Sequence, residues 1–276
     1  MLSYQHIYHA GNLADVHKHA LLAVMLEYMG RKPKPISYLE THAGRGLYRL
    51  DDAAALKTGE AAAGIGIAGN WFGEEHPYYQ ALADVRARHG DAAYPGSPAL
   101  AAALLRDADR MHLAELHPQE CDALRLAMRG SGAKIHHQDG FGMAMGVCPP
   151  EPRRGLCLID PSYEIKSDYK TIPGFVGKLH RKWNVGVIAL WYPILSDAGH
   201  KGMIAALKQQ GLPKVLHQEV RFPPVREGHR MVGSGLFVVN APFGAQDEAV
   251  RLGPAPVAER RPRARLLGRQ QRECQG

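Results

Sequence analysis

Between residues 36 and 240, short apolar runs alternate with longer stretches of helical period, and this alternation restricts the fold more than any other feature. The runs cover residues 36–40, 111–115, 134–137, 156–160, 185–191, 215–222 and 235–240. Amphipathic segments at 99–106, 118–128, 169–183 and 197–210 lie between them. Strands that alternate with helices of that length predict an α/β protein with a seven-stranded, mostly parallel sheet.

A helix is predicted over residues 13–29, behind the N-cap Asn12 and with Asp15 in its first turn. Leu22, Met25, Leu26 and Met29 form its apolar face, and Gly30, Pro33 and Pro35 mark its end. One stretch interrupts the alternation: residues 50–94 lack a convincing strand and read as a small helical insertion. The main domain then comprises residues 1–49 and 95–250, followed by a basic tail at 251–276 that is expected to lack order. This tail holds seven arginines and two glutamates, +5 of the formal +7, so the body is close to neutral and the high pI does not describe it. The four cysteines form no CxxC pair, no run of about 18 apolar residues suggests a membrane span, and the first ten residues do not resemble a secretion signal. The expectation is a soluble, cytoplasmic protein with reduced thiols and without a structural metal.

Four short motifs each follow a predicted strand, and ligands of open α/β sheets sit at that edge. In Asp160-Pro161-Ser162-Tyr163, proline ends the ladder and frees its carbonyl, which leaves two acceptors beside an aromatic ring. That set suits a planar base with an exocyclic amine: Asp160 and the Pro161 carbonyl would hold the two N–H hydrogens while Tyr163 stacks on the ring. Thr41-His42-Ala43-Gly44-Arg45-Gly46 offers a close backbone approach, but Arg49 stands where a dinucleotide fingerprint would place its third glycine. Glu115 could accept both hydroxyls of a ribose, and Asp139-Gly140-Phe141 could meet the amino edge of an adenine. Taken singly, each motif could equally be a turn or a helix start.

His17-Lys18-His19 imitates the HxH pair of metal hydrolases, but residues two apart on a helix face different ways, which argues against a shared ion. Lys18 or His19 could instead face the carboxylate of a cofactor.

Together these motifs resemble the S-adenosylmethionine-dependent adenine N6-methyltransferases of the RlmJ type, which act on 23S ribosomal RNA. The resemblance spans residues 1 to about 243. It is most specific in the amino-terminal block around Leu2-Ser3-Tyr4-Gln5-His6, His9-Ala10-Gly11-Asn12 and Lys18-His19. It continues through Thr41-His42-Ala43-Gly44, Tyr94-Pro95-Gly96-Ser97-Pro98, Glu115-Leu116-His117-Pro118, Asp139-Gly140-Phe141, Asp160-Pro161 with Tyr163, and Leu190-Trp191-Tyr192-Pro193.

The resemblance implies a Rossmann-like methyltransferase. In it His19, His42, Ser97, Glu115, Asp139 and Gly140 contact S-adenosylmethionine, with Lys18 close by. It makes Asp160 the catalytic residue, with Pro161 and Tyr163 beside it, and puts Tyr4 and His6 against the RNA substrate. It implies no metal, no membrane and a monomer. Two departures stand out: the family's Asp-Pro-Pro-Tyr reads Asp-Pro-Ser-Tyr here, and the arginine-rich tail is unlike the family's carboxyl end. The competing readings are a DNA adenine N6-methyltransferase and a catalytically silent RNA-binding protein of the same fold. A nicotinamide dehydrogenase or a metal hydrolase would require the glycine turn or the histidine pair to have been misjudged.

Overall fold

The computed structural model describes residues 5–253. Its first long element, α1 (Leu13–Gly30), starts where Asn12 accepts a hydrogen bond from the Asp15 backbone N–H, and it is buried over most of its surface. The chain then runs through β1 (Ser37–Glu40), β2 (Leu47–Arg49), α2 (Ala53–Thr58), α3 (Glu60–Ala63), α4 (Ile65–Ala68), α5 (Pro77–His89) and β3 (Ala93–Pro95). Next come α6 (Ser97–Leu104), β4 (Arg110–Ala114), α7 (Pro118–Ala127), β5 (Lys134–His136), α8 (Gly140–Val147) and β6 (Gly155–Ile159). The described chain ends with α9 (Asp168–Lys182), β7 (Val187–Leu195), α10 (His200–Gln209), β8 (Leu216–Arg221), β9 (Met231–Val239) and α11 (Ala245–Arg251).

Seven strands form one sheet in the order β5-β4-β1-β6-β7-β9-β8, with β9 alone running against the other six. All seven match the predicted runs to within a few residues. Every residue of β6 is buried, as expected for a central parallel strand covered on both faces. The chain leaves β1 toward β4 and β5, then returns past β1 to β6. Helix α6 packs against α1 and α5, and α8 packs against α9, β1 and β4. The strand order reverses between β1 and β6, so a crevice opens beyond their carboxyl ends.

Helices α2 to α5 occupy the stretch that interrupts the alternation, and the antiparallel pair β2 and β3 brackets them. Ile65, Ala68, Trp71, Phe72, Tyr78 and Leu82 from this stretch join the same apolar cluster as α1 and the sheet.

Candidate active site

A cleft of about 440 Å³ lies at the switch point between β1 and β6. Elements from both halves of the sheet supply its wall. His42 and Gly44 follow β1, Glu115 follows β4, Asp139 and Gly140 follow β5, and Asp160 and Pro161 follow β6. Ser97 at the start of α6 and Lys18 and His19 on α1 also line it, as does His6. The predicted residues that fall within the described chain are thus brought to one cavity, except Tyr163; Tyr4 lies outside the described residues.

The floor is set by a close approach of backbones. A Cβ on Gly140 would lie 1.8 Å from the Thr41 carbonyl oxygen, so a side chain there would force α8 away from the end of β1. Asp139 caps α8 by accepting the Gly142 N–H at 2.6 Å. Of the two local readings of Asp139-Gly140-Phe141, a turn or a helix start, the structure shows the helix start. Gly44 takes φ +59° and donates its N–H to Glu115 Oε2 at 2.8 Å, while the His117 N–H donates to Oε1 at 2.7 Å. Burial raises the Glu115 carboxyl and these two N–H groups oppose the rise. Each oxygen keeps a lone pair for a hydroxyl.

Two cleft histidines are held neutral. Burial pushes His19 down to about 3 and His42 to about 4. His19 Nδ1 lies 3.1 Å from the Tyr94 hydroxyl, whereas its Nε2 is buried without a hydrogen-bond partner among the described residues. His17 points elsewhere, with Nδ1 2.8 Å from Ser234 Oγ and Nε2 3.1 Å from Gln218 Oε1. The two histidines therefore serve different faces of α1.

Around Asp160 the structure shows a buried charge network that sequence reasoning missed. Lys18 Nζ donates to Asp160 Oδ2 at 2.6 Å and lies 3.1 Å from Asp15 Oδ1. Asp15 Oδ2 also receives the Gly11 N–H at 3.0 Å and lies 2.9 Å from His6 Nε2. Burial works against charge on both residues. For Lys18 the carboxylates of Asp160 and Asp15 overcome it and raise the ammonium; for Asp15, His6 and Lys18 overcome it and hold the carboxyl well below the usual range. Asp160 Oδ1 and the Pro161 carbonyl receive no hydrogen bond from the described residues. Two acceptors thus remain open at the cleft.

Tyr163 requires a correction. Its ring, expected to stack on a base, is 6% exposed, and its hydroxyl donates to the Trp191 carbonyl at 2.7 Å. Its backbone adopts φ +56°, a strained conformation for a bulky residue, and its ring packs 4.7 Å from that of Tyr169. A buried phenol needs a hydrogen-bond partner, and the one available lies behind the turn. Trp191 takes part in the cleft wall instead, with Lys18 Nζ 5.3 Å from its ring centroid. In the sequence Trp191 stood out only within the matching stretch Leu190-Trp191-Tyr192-Pro193.

The strand order and a polar cleft at its switch point define a Rossmann-like methyltransferase fold. Residues 33–260 match the family described as "Ribosomal RNA large subunit methyltransferase D, RlmJ", and this chain belongs to that family. It is 37% identical over 254 residues to Ribosomal RNA large subunit methyltransferase J of Escherichia coli, covering 90% of each chain. It is 35% identical over 261 residues to the protein of the same name from Haemophilus influenzae, covering 92% of each. A crystal structure of a Legionella pneumophila protein superposes with a TM-score of 0.77 at 34% identity, over 88% of this chain and 91% of that one.

Proposed function

We propose that this chain transfers a methyl group from S-adenosylmethionine to N6 of an adenine in 23S ribosomal RNA. The observation that carries the reading is the pair of open acceptors, Asp160 Oδ1 and the Pro161 carbonyl, at the mouth of a cleft whose opposite wall suits an adenosine and an amino acid.

The cleft residues fit that cofactor. Glu115 has spare lone pairs for ribose hydroxyls, buried His19 Nε2 lacks a partner among the described residues, and Gly140 lines the cleft. His42, Asp139 and Ser97 complete the set that would hold it. When bound, S-adenosylmethionine supplies a sulfonium-activated methyl group, so the protein need contribute only alignment and electrostatics.

The chain's own groups act on the adenine. An extruded adenine would lay its ring against Pro161, Ile165 and Trp191 and give one amine hydrogen to each open acceptor. Accepting both hydrogens draws the N6 lone pair out of conjugation, and Oδ1 offers a place for the proton lost after transfer. Lys18 keeps Oδ2 engaged, which fixes the rotation of the carboxylate. Tyr163 braces the turn from behind through the Trp191 carbonyl. Ser162 leaves the Pro161 carbonyl in place, so the departure from the family's second proline does not remove an acceptor.

His6, tied to Asp15 at the cleft wall, and Tyr4 are the residues we assign to the RNA. No helix among the described residues is long and apolar enough to cross a membrane, in keeping with action on ribosomal RNA in the cytoplasm. The test is methyl incorporation into protein-free 23S RNA and into duplex DNA, followed by nuclease digestion and mass detection of N6-methyladenosine. Product in the RNA alone is expected. Product in DNA alone would favour the DNA enzyme, and cofactor binding without product in either would favour a silent binding protein.

A further inference from the structure

Glu40 ends β1 beside the cleft without exposed surface, and both its carboxyl oxygens are engaged. The Tyr38 hydroxyl lies 2.7 Å from Oε2, and Ser97 Oγ is in contact with Oε1. Tyr38 is itself fully buried, and Glu40 is the hydrogen-bond partner of its hydroxyl. A buried phenol that only accepted would leave its own O–H without a partner, so the Tyr38 O–H donates to Oε2. Any proton carried by Glu40 then belongs on Oε1, facing Ser97.

Ser97 lines the cleft, and its hydroxyl has one proton and two lone pairs. When Oε1 is protonated, Ser97 accepts from Glu40 and turns its own proton toward the cleft. When Glu40 is ionised, Ser97 must donate backward to Oε1, and the cleft meets only lone pairs. Ser97 is also the first residue of α6, whose amino-terminal dipole favours an anion.

We propose that Glu40 is a positioning residue whose protonated form makes Ser97 a hydrogen-bond donor to the carboxylate end of the cofactor, an inference that rests on the S-adenosylmethionine reading above. Burial pushes the Glu40 carboxyl up to about 8, and Asp160 adds to the rise, while the Ser97 and Tyr38 hydrogen bonds and the Lys18 ammonium oppose it. The remaining titratable neighbour is Cys157 on β6, whose thiol burial raises well above its ordinary range. A neutral Glu40 also removes a negative charge from behind the ligand's carboxylate.

The test is calorimetric titration of the full chain with S-adenosylhomocysteine from pH 6.5 to 9.5. With Glu40 titrating at about 8, affinity should fall about tenfold between pH 7 and pH 9 if only the protonated form supplies the donor. In Glu40→Gln the amide N–H donates to Ser97 and the amide carbonyl accepts from Tyr38. This variant should keep the affinity seen at pH 7 and lose the Glu40-linked fall. The ligand's own amino group titrates identically against both proteins, so the difference between their profiles isolates Glu40. Ser97→Ala should bind more weakly at pH 7 and show a smaller fall, and 5′-methylthioadenosine, which lacks the amino-acid end, should bind the unaltered protein without it. Parallel profiles for the unaltered protein and Glu40→Gln, or an equal fall with 5′-methylthioadenosine, would overturn the proton assignment alone. Failure of S-adenosylhomocysteine to bind at any pH would overturn the cofactor reading as well.

Discussion

Lys18 is buried between two carboxylates, 2.6 Å from Asp160 and 3.1 Å from Asp15. Removing one partner of such a pair leaves a charge in a poorly solvated place, at about 3–5 kcal/mol. Lys18→Met should therefore lower the unfolding free energy by about that amount in urea titration at pH 7. A loss below about 1 kcal/mol would mean that water reaches the pair. Asp15 makes a pH-dependent contribution of definite sign. Its carboxyl is held below the unfolded value, so its stabilisation is present above about pH 4 and is lost as pH falls through the lower, folded value. Asp15→Asn should flatten the acid side of a stability-versus-pH curve, and an unchanged acid limb would contradict the network. The residues at strand ends were legible because the edge of an α/β sheet ranks positions before any contact is known. The Lys18 to Asp160 bond joins positions 142 apart, and no local pattern announces it. Tyr163 was misjudged because sequence shows that an aromatic residue follows the turn but not which way a left-handed backbone aims it.

At the scale of elements, caps and punctuation explain what was read and what was not. Asn12 and Asp52 both cap helices, but Asn12 also donates to the buried Glu60 at 3.0 Å, whereas Asp52 stands at the surface before the short α2. Asn12→Ala should cost about 2 kcal/mol, the upper end of the range for caps, and Asp52→Ala about 0.5 kcal/mol. Equal shifts in thermal midpoint would count against the difference in burial. Helix α8 was absent from the predicted helical segments because Gly140, Gly142 and Gly146 weaken its helical signal; packing against β1 and β4 outweighs propensity. The β2 and β3 pair escaped notice because two strands of three residues each, separated by four helices, have no periodicity to detect. Helix α11 followed the point where strand alternation stopped, and its buried Ala245 and Ala249 belong to the core cluster. Gly140→Ala should shift α8 and weaken S-adenosylhomocysteine binding at least tenfold; unchanged binding would show that the backbone can part from Thr41 without consequence.

For the whole molecule, one topological fact places the chemistry. Strand order reverses between β1 and β6, so residues from four consecutive sheet strands converge on one cleft although they span positions 42 to 161. The alternation of runs and helices conveyed that architecture, because each buried strand must be apolar and each crossover must be long enough to hold a helix. The charge wiring behind the cleft depends on how α1 docks against the sheet, which the pattern of runs does not specify. The direct measurement is S-adenosylhomocysteine binding and methyl transfer to 23S RNA, made side by side on Asp160→Ala. Binding within a few fold of the unaltered protein, with transfer reduced at least a hundredfold, is the expected result. Near-normal transfer by that variant would contradict the assignment of Asp160 to the adenine amine.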